Sequence, residues 1–174
     1  MMSGLFTIPI SGLKEGQHYF EYRIDKAFFE QFEESEVGEG DLTAAAEAEK
    51  RASHIDITIK ISGTVRISCD RCLGIFSQPV DCTSRLLVKF GRTHDGDDPD
   101  MVVVPADEPE LDLKQYFYEY IMLALPIKRM HPDDVSGNST CDPEMLKRLK
   151  DHAVGDDNKS DPRWAELKKL MNNN

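Results

Sequence analysis

The most constraining feature of the sequence is a run of strict alternation between apolar and polar residues, HIDITIKISGTVRISC at positions 54–69. The apolar side chains fall on odd positions: Ile55, Ile57, Ile59, Ile61, Val65, Ile67 and Cys69. Because successive side chains of a strand point to opposite faces of a sheet, this period of two predicts a long, half-buried strand. Gly63 interrupts the apolar row and predicts a bend or a bulge in that strand.

A strand of this length needs neighbours on both of its edges, and the adjacent segments supply them. FSQPVDCTSRLLVKFG at 76–91 follows a short turn and predicts the returning strand of a hairpin. LTAAAEAEKR at 42–51 is ambiguous, because its alanines favour a helix while its apolar residues also alternate. We favour a strand there, since it would pair with the other edge. HYFEYRI at 18–24 and MVVVP at 101–105 predict two further strands.

Two helical segments flank these strands. The first, DKAFFEQF, begins at Asp25, whose side chain is suited to cap a helix. The second, LKQYFYEYIMLAL at 113–125, has an apolar stripe, Asp112 as the candidate cap and Pro126 as its end. The predicted fold class is therefore α+β: a strongly bent antiparallel β-sheet or incomplete barrel, with a capping helix at about 112–125 and short C-terminal helices.

The composition changes after Pro126. CDPEMLKRLKDH opens with Asp142 followed by proline, the arrangement typical of a helix start, and DPRWAELKKLM at 161–171 repeats it. We therefore expect residues 1–125 to form a single β-rich domain with its closing helix. Residues 126–174 are expected to carry a loop and two short helices that pack on this domain or trail from it.

The charge balance limits the classes of partner. The chain has 32 acidic and 21 basic residues, a net charge of −11. Such a chain does not bind nucleic acid through bulk electrostatics, although it can attract a cationic protein. The acidic loop with Asp95, Asp97, Asp98 and Asp100 lacks the twelve-residue pattern of a calcium loop, so a solvated loop is the favoured interpretation.

The sequence shows neither a secretory signal nor an apolar stretch long enough to span a bilayer. We therefore expect a cytoplasmic protein without a membrane partner. In that compartment the four cysteines are expected to be free, metal-bound or redox-active rather than joined in structural disulfides.

Cys69 and Cys72 form a C-x-x-C, a spacing compatible with a dithiol pair, half of a metal site or a plain turn. In a thioredoxin-type dithiol a helix follows the first cysteine and lowers its pKa. Here the segment after Cys72 continues as a strand, so the helix that would lower the pKa of Cys69 is missing from the pattern and a redox pair is disfavoured. A zinc site needs two further nitrogen or sulfur ligands.

The candidates for those ligands are Cys82, His94, His131 and Cys141. His131 and Cys141 flank one loop after the long helix, with nine residues between them. The resulting set for one structural zinc ion is Cys69, Cys72, His131 and Cys141. Cys82 is interpreted as a bystander on the returning strand. The alternative, in which Cys69 packs as the last apolar residue of its strand and the others are incidental, stays open.

Four features follow one another along the sequence: ISGTVRISCDRCLGIFSQPV, YEYIMLALPIKRMH, a downstream cysteine and DPRWAELKKL. In this order and rough spacing they resemble the YceD-like proteins, a family named for accumulation of large-subunit ribosomal RNA. The resemblance covers residues 15–170 or so. It implies a non-enzymatic ribosome-biogenesis factor that supports 23S rRNA accumulation, with zinc-binding members whose C-x-x-C pairs with a second Cys- or His-bearing loop.

The implied partners are a large-subunit ribosomal protein or precursor 23S rRNA, with no small-molecule substrate. For rRNA, the candidate contacts are Lys128, Arg129, Lys147, Arg148, Lys150, Lys168 and Lys169. For a cationic ribosomal protein, the candidates are the acidic loops at 95–100 and 107–112, which the net charge favours. The alternative class is a zinc-dependent or dithiol redox enzyme that uses the Cys69–Cys72 pair.

Overall fold

The structure is a computed structural model that describes residues 6–33, 35–91 and 100–153. In chain order its elements are β1 (Thr7–Pro9), β2 (Gly16–Ile24), α1 (Lys26–Phe29), β3 (Glu39–Lys50), β4 (His54–Ser68), β5 (Ile75–Phe90), β6 (Met101–Val104), β7 (Glu110–Asp112), α2 (Lys114–Ala124) and α3 (Pro143–His152). A five-stranded sheet has the order β2-β3-β4-β5-β6, and β1 pairs with β7 in a second, small sheet. The predicted α+β class is confirmed.

The long alternating run is the central strand, β4, which pairs along its whole length with β5. The ambiguous segment at 42–51 is a strand up to Lys50, as part of β3, which pairs with the other edge of β4. One feature of the prediction is wrong: the sheet is not wholly antiparallel, because β6 pairs with β5 in parallel. Since β6 is reached through a connection rather than a tight hairpin, its direction was not fixed by the local sequence. Among the described residues the sheet does not close, and β2 and β6 are its edges.

Gly63 lies at the predicted bend of β4. Its φ of 145° is one that other residues rarely adopt. A side chain there would place a Cβ atom against the backbone of Asp41 and Leu42 on β3. The register of β3 and β4 nevertheless continues through this point, so Gly63 makes a bend rather than a bulge.

The core lies on one face of the sheet. The odd-numbered apolar residues of β4 are buried there, beside a row of buried alanines on β3. The small alanines leave space for aromatic rings from the N-terminal segment, β2, α1 and α2. The rings of Tyr22 and Phe117 lie 5.3 Å apart, and those of Phe6 and Phe28 lie 4.9 Å apart. The opposite face of the sheet carries polar side chains.

Two of the three predicted N-cap residues are confirmed, and the third N-cap lies one residue later than predicted. Asp25 accepts a hydrogen bond from the Ala27 amide, and Asp142 accepts one from the Glu144 amide. The N-cap of α2 is Leu113 rather than Asp112, although the Asp112 carboxylate still accepts from the Lys114 amide at 2.8 Å. In the described part of the chain, no helix has the length and apolar character needed to cross a membrane. The predicted helix at 161–171 lies outside the described residues.

Candidate metal centre

The turn between β4 and β5 presents the first two thiols. The Cys69 amide donates to the Gly74 carbonyl at 2.9 Å, and the Leu73 amide donates to the Cys69 carbonyl at 2.9 Å. The Arg71 amide donates to the Cys69 sulfur at 3.4 Å. Leu73 has a φ of 60°, in the left-handed region that bulky residues rarely adopt. The C-x-x-C therefore lies in a tight turn between two strands, hereafter the knuckle (residues 69–74), and does not begin a helix.

The other two ligands come from a folded loop at 131–141. An isolated bridge joins Asp133 to Ser139, and the Asp134 amide donates to the Asn138 carbonyl at 2.8 Å. The Asp134 carboxylate accepts from the amides of Ser136 and Asn138, each at 2.8 Å. This Asx turn folds the loop back on itself. Two ligands ten positions apart in sequence are thereby brought to the same place.

The side chains of Cys69, Cys72, His131 and Cys141, hereafter the Cys/His cluster, have ligand atoms all within 4.8 Å of one another. The sulfurs of Cys69 and Cys141 are 3.7 Å apart. The Nδ1 atom of His131 is 3.4 Å from the Cys72 sulfur and 3.7 Å from the Cys141 sulfur.

These separations fit one tetrahedral zinc ion. With zinc–sulfur bonds of about 2.3 Å and zinc–nitrogen bonds of about 2.0–2.1 Å, tetrahedral angles place ligand sulfurs about 3.8 Å apart and sulfur and nitrogen about 3.5 Å apart. Three thiolates and one imidazole are also the ligand chemistry that zinc prefers. All four cysteines of the chain are free rather than disulfide-bonded.

The electrostatics of the thiols are consistent with a cation at the centre of the cluster. Burial of Cys69 opposes its ionisation, but hydrogen bonds from the backbone of Cys72 and Arg71, together with His131, lower its pKa to about 6. At Cys141 a hydrogen bond with Ser139 lowers the pKa, yet burial and the two neighbouring thiols raise it overall. Because like charges repel at this distance, a divalent cation would allow all three thiols to ionise together.

Two hydrogen bonds join the turn at 69–74 to the chain that precedes His131. The Asp70 amide donates to the Arg129 carbonyl, and the Arg129 amide donates to the Asp70 carboxylate, both at 2.7 Å. The Arg129 guanidinium forms an ion pair with Glu36. On the other side, the rings of Phe76 and His131 lie 4.9 Å apart, which restricts the orientation of the imidazole.

Cys82 lies apart from the cluster. It stands opposite Ile61 in the β4–β5 register, whereas Phe76, six positions earlier, is beside the cluster. Its thiol donates to the Tyr120 carbonyl at 3.8 Å, and burial together with Asp81 raises its pKa. A thiol in this position contacts α2 and not the other cysteines. His94, the other candidate ligand, lies outside the described residues.

The cationic residues selected from the sequence have different surroundings. Lys147, Arg148 and Lys150 are exposed on α3, a helix without a buried residue. Lys128 is exposed, whereas the side chain of Arg129 is engaged by Glu36. Lys168 and Lys169 lie outside the described residues, as does the acidic loop from Asp95 to residue 99. In the second acidic loop, Asp107, Glu110 and Asp112 are exposed.

The chain matches the model of the family described as Large ribosomal RNA subunit accumulation protein YceD over residues 57–171. That range covers more than half of the chain. The chain belongs to the YceD family. The matched range begins in β4 and includes every residue of the Cys/His cluster, so the resemblance noted in the sequence is confirmed. None of the curated proteins and none of the solved structures matches the chain.

Sequence reasoning missed the residues that position the ligands. Asp70 joins the knuckle to Arg129, Phe76 lies against His131, and Asp134 folds the ligand loop. For Asp134 a signal was present, because an aspartate shortly before Ser-Gly-Asn is typical of an Asx turn. Asp70 and Phe76 act on residues more than fifty positions away, so no local pattern marks them.

Proposed function

We propose that this chain is a non-enzymatic biogenesis factor of the large ribosomal subunit, working in the cytoplasm and supporting 23S rRNA accumulation. In this proposal the Cys/His cluster holds one structural zinc ion. The ion joins the knuckle at 69–74 to the loop at 131–141 and thereby fixes α3 relative to the sheet. The family description supports the ribosomal role.

The observation that carries the zinc proposal is the closed geometry of the cluster. Four protein ligands within 4.8 Å of one another would fill a tetrahedral zinc ion and leave no coordination position for water or substrate, which is the arrangement of structural zinc sites. Cys69, Cys72 and Cys141 are buried, so the metal would also be shielded from solvent. Zinc bound there would contribute stability to the contact between two distant parts of the chain and would not activate a water molecule.

A second candidate function is a dithiol redox enzyme using Cys69 and Cys72. The lowered pKa of Cys69 favours it, because the thiolate is the reactive form. Against it, the Cys69 side chain is fully buried, so an approaching disulfide has little access to its sulfur. The zinc-dependent enzyme alternative requires an open metal position, which a four-ligand set does not leave.

The partner is proposed to be a cationic ribosomal protein of the large subunit. The net charge of −11 supports this choice, because it attracts a basic protein and repels RNA phosphates. Precursor 23S rRNA is the alternative partner. It would contact the exposed cations of α3, together with Lys128 and the more distal lysines.

Two measurements test the proposal. Metal analysis with thiol counting on the native protein is expected to give about one zinc per chain and a reactive thiol only at Cys82. A metal-free protein with two reactive thiols of low pKa would instead establish the dithiol alternative.

The second measurement concerns the ribosome. In a density gradient of cell extract we expect the chain to sediment with large-subunit precursors, and its loss to lower 23S rRNA relative to 16S rRNA. A chain that stays at the top of the gradient, with unchanged 23S rRNA after its deletion, would contradict the ribosomal role.

A further inference from the structure

The edge strand β2 has an open side. It pairs through all nine residues with β3, and it is the first strand in the order of the five-stranded sheet. Within the described part of the chain, no residue of β2 makes a backbone hydrogen bond on the side away from β3. A row of backbone donors and acceptors is therefore available to another extended chain.

The register identifies the residues whose backbone faces outward. The Arg51 amide donates to the His54 carbonyl, so the odd residues of β3 hydrogen-bond to β4 and its even residues to β2. The even residues of β2 are paired with those even residues of β3. The amide and carbonyl groups that face the open edge therefore belong to Gln17, Tyr19, Glu21 and Arg23.

Natural edge strands are often protected by proline, lysine, a bulge or a covering segment. Strand β2, GQHYFEYRI, contains neither proline nor lysine, and its register with β3 runs without a bulge. The outward-facing residues also place their side chains on the polar face of the sheet, and Tyr19 is 61% exposed. Within the described residues this edge is long, regular and uncovered, and its charged side chains are those of Glu21 and Arg23.

A groove of about 290 Å³ lies on the polar face directly beside this edge. Tyr19 and Gln17 form its outer wall. Three carboxylates, those of Glu47, Glu49 and Asp56, line it together with one guanidinium, that of Arg85. Exposed ion pairs join Glu47 to Lys60 and Glu49 to Arg51, so a basic segment would compete with these weak surface contacts. Glu47 stands opposite Tyr19 in the register and Glu49 opposite Gln17, so the acidic side chains follow the open edge.

We propose that β2 accepts an extended, lysine- or arginine-rich segment of a partner protein as a sixth strand of the sheet. The outward amides and carbonyls of β2 form the ladder, as in other cases of strand addition. The inference deepens the proposed function, on which it rests for the identity of the partner as a cationic ribosomal protein.

Side-chain direction explains the preference for a basic segment. A residue of the added strand opposite Tyr19 shares its face of the sheet, because directly opposed residues lie on the same side. A lysine or arginine there would lie across the Tyr19 ring and extend towards Glu47. The next residues of the segment would lie on the same face of the sheet as Phe20 and Tyr22.

The test uses a fluorescent peptide of alternating lysine and valine, with a glutamate–valine peptide as the charge control. Wild-type chain is expected to bind the lysine peptide and not the glutamate peptide.

Two variants at one position isolate the backbone contribution. Both Tyr19→Val and Tyr19→Pro remove the ring, but only the proline removes an outward amide, and that amide makes no bond to β3.

We expect Tyr19→Pro to bind the lysine peptide about tenfold more weakly than Tyr19→Val, as for a lost ladder contact. Glu47→Gln should weaken binding by about threefold. Asp81→Asn removes an exposed charge outside the groove and should leave binding within about twofold. Equal affinity of the two Tyr19 variants would overturn strand addition, as would tighter binding of a single-stranded RNA oligonucleotide at this edge.

Amide exchange of the wild-type chain provides a readout that does not depend on any variant. The lysine peptide is expected to slow exchange at Gln17, Tyr19, Glu21 and Arg23, and unchanged exchange there would also overturn the proposal. Sedimentation distinguishes failure of the strand-addition proposal from failure of the proposed ribosomal function. If wild type and Tyr19→Pro both travel with large-subunit precursors, the ribosomal role holds and the strand-addition proposal fails. If wild type itself does not sediment with them, the proposed function fails.

Discussion

The sheet and the C-terminal segment at 126–153 are held in different ways. The inner face of β4 is apolar and almost fully buried, with Ile59 and Ile61 both inaccessible to solvent. In contrast, Cys141 is the one buried residue among positions 126–153, all of which the structure describes. The sheet is thus stabilised by apolar burial, whereas the segment relies on the Cys/His cluster and a few hydrogen bonds. Loss of the proposed zinc ion should therefore affect the two regions unequally.

The largest expected effect comes from Cys141→Ser. It removes one of four ligands and the only buried side chain of the segment, so bound zinc should fall from about one per chain to below about a tenth. Amide exchange across 126–153 should accelerate strongly while β3 and β4 keep their protection. Cys82→Ser is the matched control and should retain its zinc. Loss of protection in β4 as well would show that the two regions are not independent.

Ile59→Ala should destabilise the sheet and leave zinc binding unchanged. Truncating this fully buried side chain is expected to lower the free energy of unfolding by about 2–5 kcal/mol, because it leaves a cavity in the core. Denaturant titration measures the loss, and the folded variant should still bind zinc stoichiometrically. Ser62→Ala, on the exposed face of β4, should change stability by less than about 0.5 kcal/mol. An Ile59 variant that folds but lacks zinc would contradict the separation of the two regions.

Asp134→Ala tests whether the loop positions the ligands. The carboxylate accepts bonds from the backbone of Ser136 and Asn138, so its removal should loosen the spacing between His131 and Cys141. We expect zinc affinity, measured by competition with a chelator, to fall about tenfold. Asp133→Ala serves as the control, since among the described residues its side chain has no hydrogen bond or ion pair. Equal affinities of the two variants would mean that the turn does not position the ligands.

The smallest effect is expected for Asp142→Ala at the start of α3. Loss of this cap should cost about 0.5–2 kcal/mol of helix stability. Because α3 buries no residue, far-UV circular dichroism should show some helix loss while the unfolding midpoint of the sheet stays unchanged. A lower midpoint for the sheet would indicate that α3 contributes to the core after all.

Much of the sheet was predictable because its signal is local. The alternation from Ile55 to Ile67 identified β4 and the face that it buries, and Gly63 marked the bend. The alanine-rich segment required an argument about the neighbour of β4, since propensity alone favoured a helix. The direction of β6 was predicted wrongly, because the sequence of a short apolar strand is compatible with parallel and antiparallel pairing alike.

The Cys/His cluster likewise has a part that local sequence predicts and a part that depends on the tertiary structure. The sequence by itself determined that Cys69 and Cys72 lie in a turn between two strands, since alternation and a hairpin depend on neighbouring residues. Only the tertiary structure brought Cys141, 72 positions from Cys69, and His131, 59 positions from Cys72, to the same point. It did so through the bonds of Asp70 and Asp134 and through the course of α2. Such long-range meetings depend on the whole fold, which no short sequence window encodes.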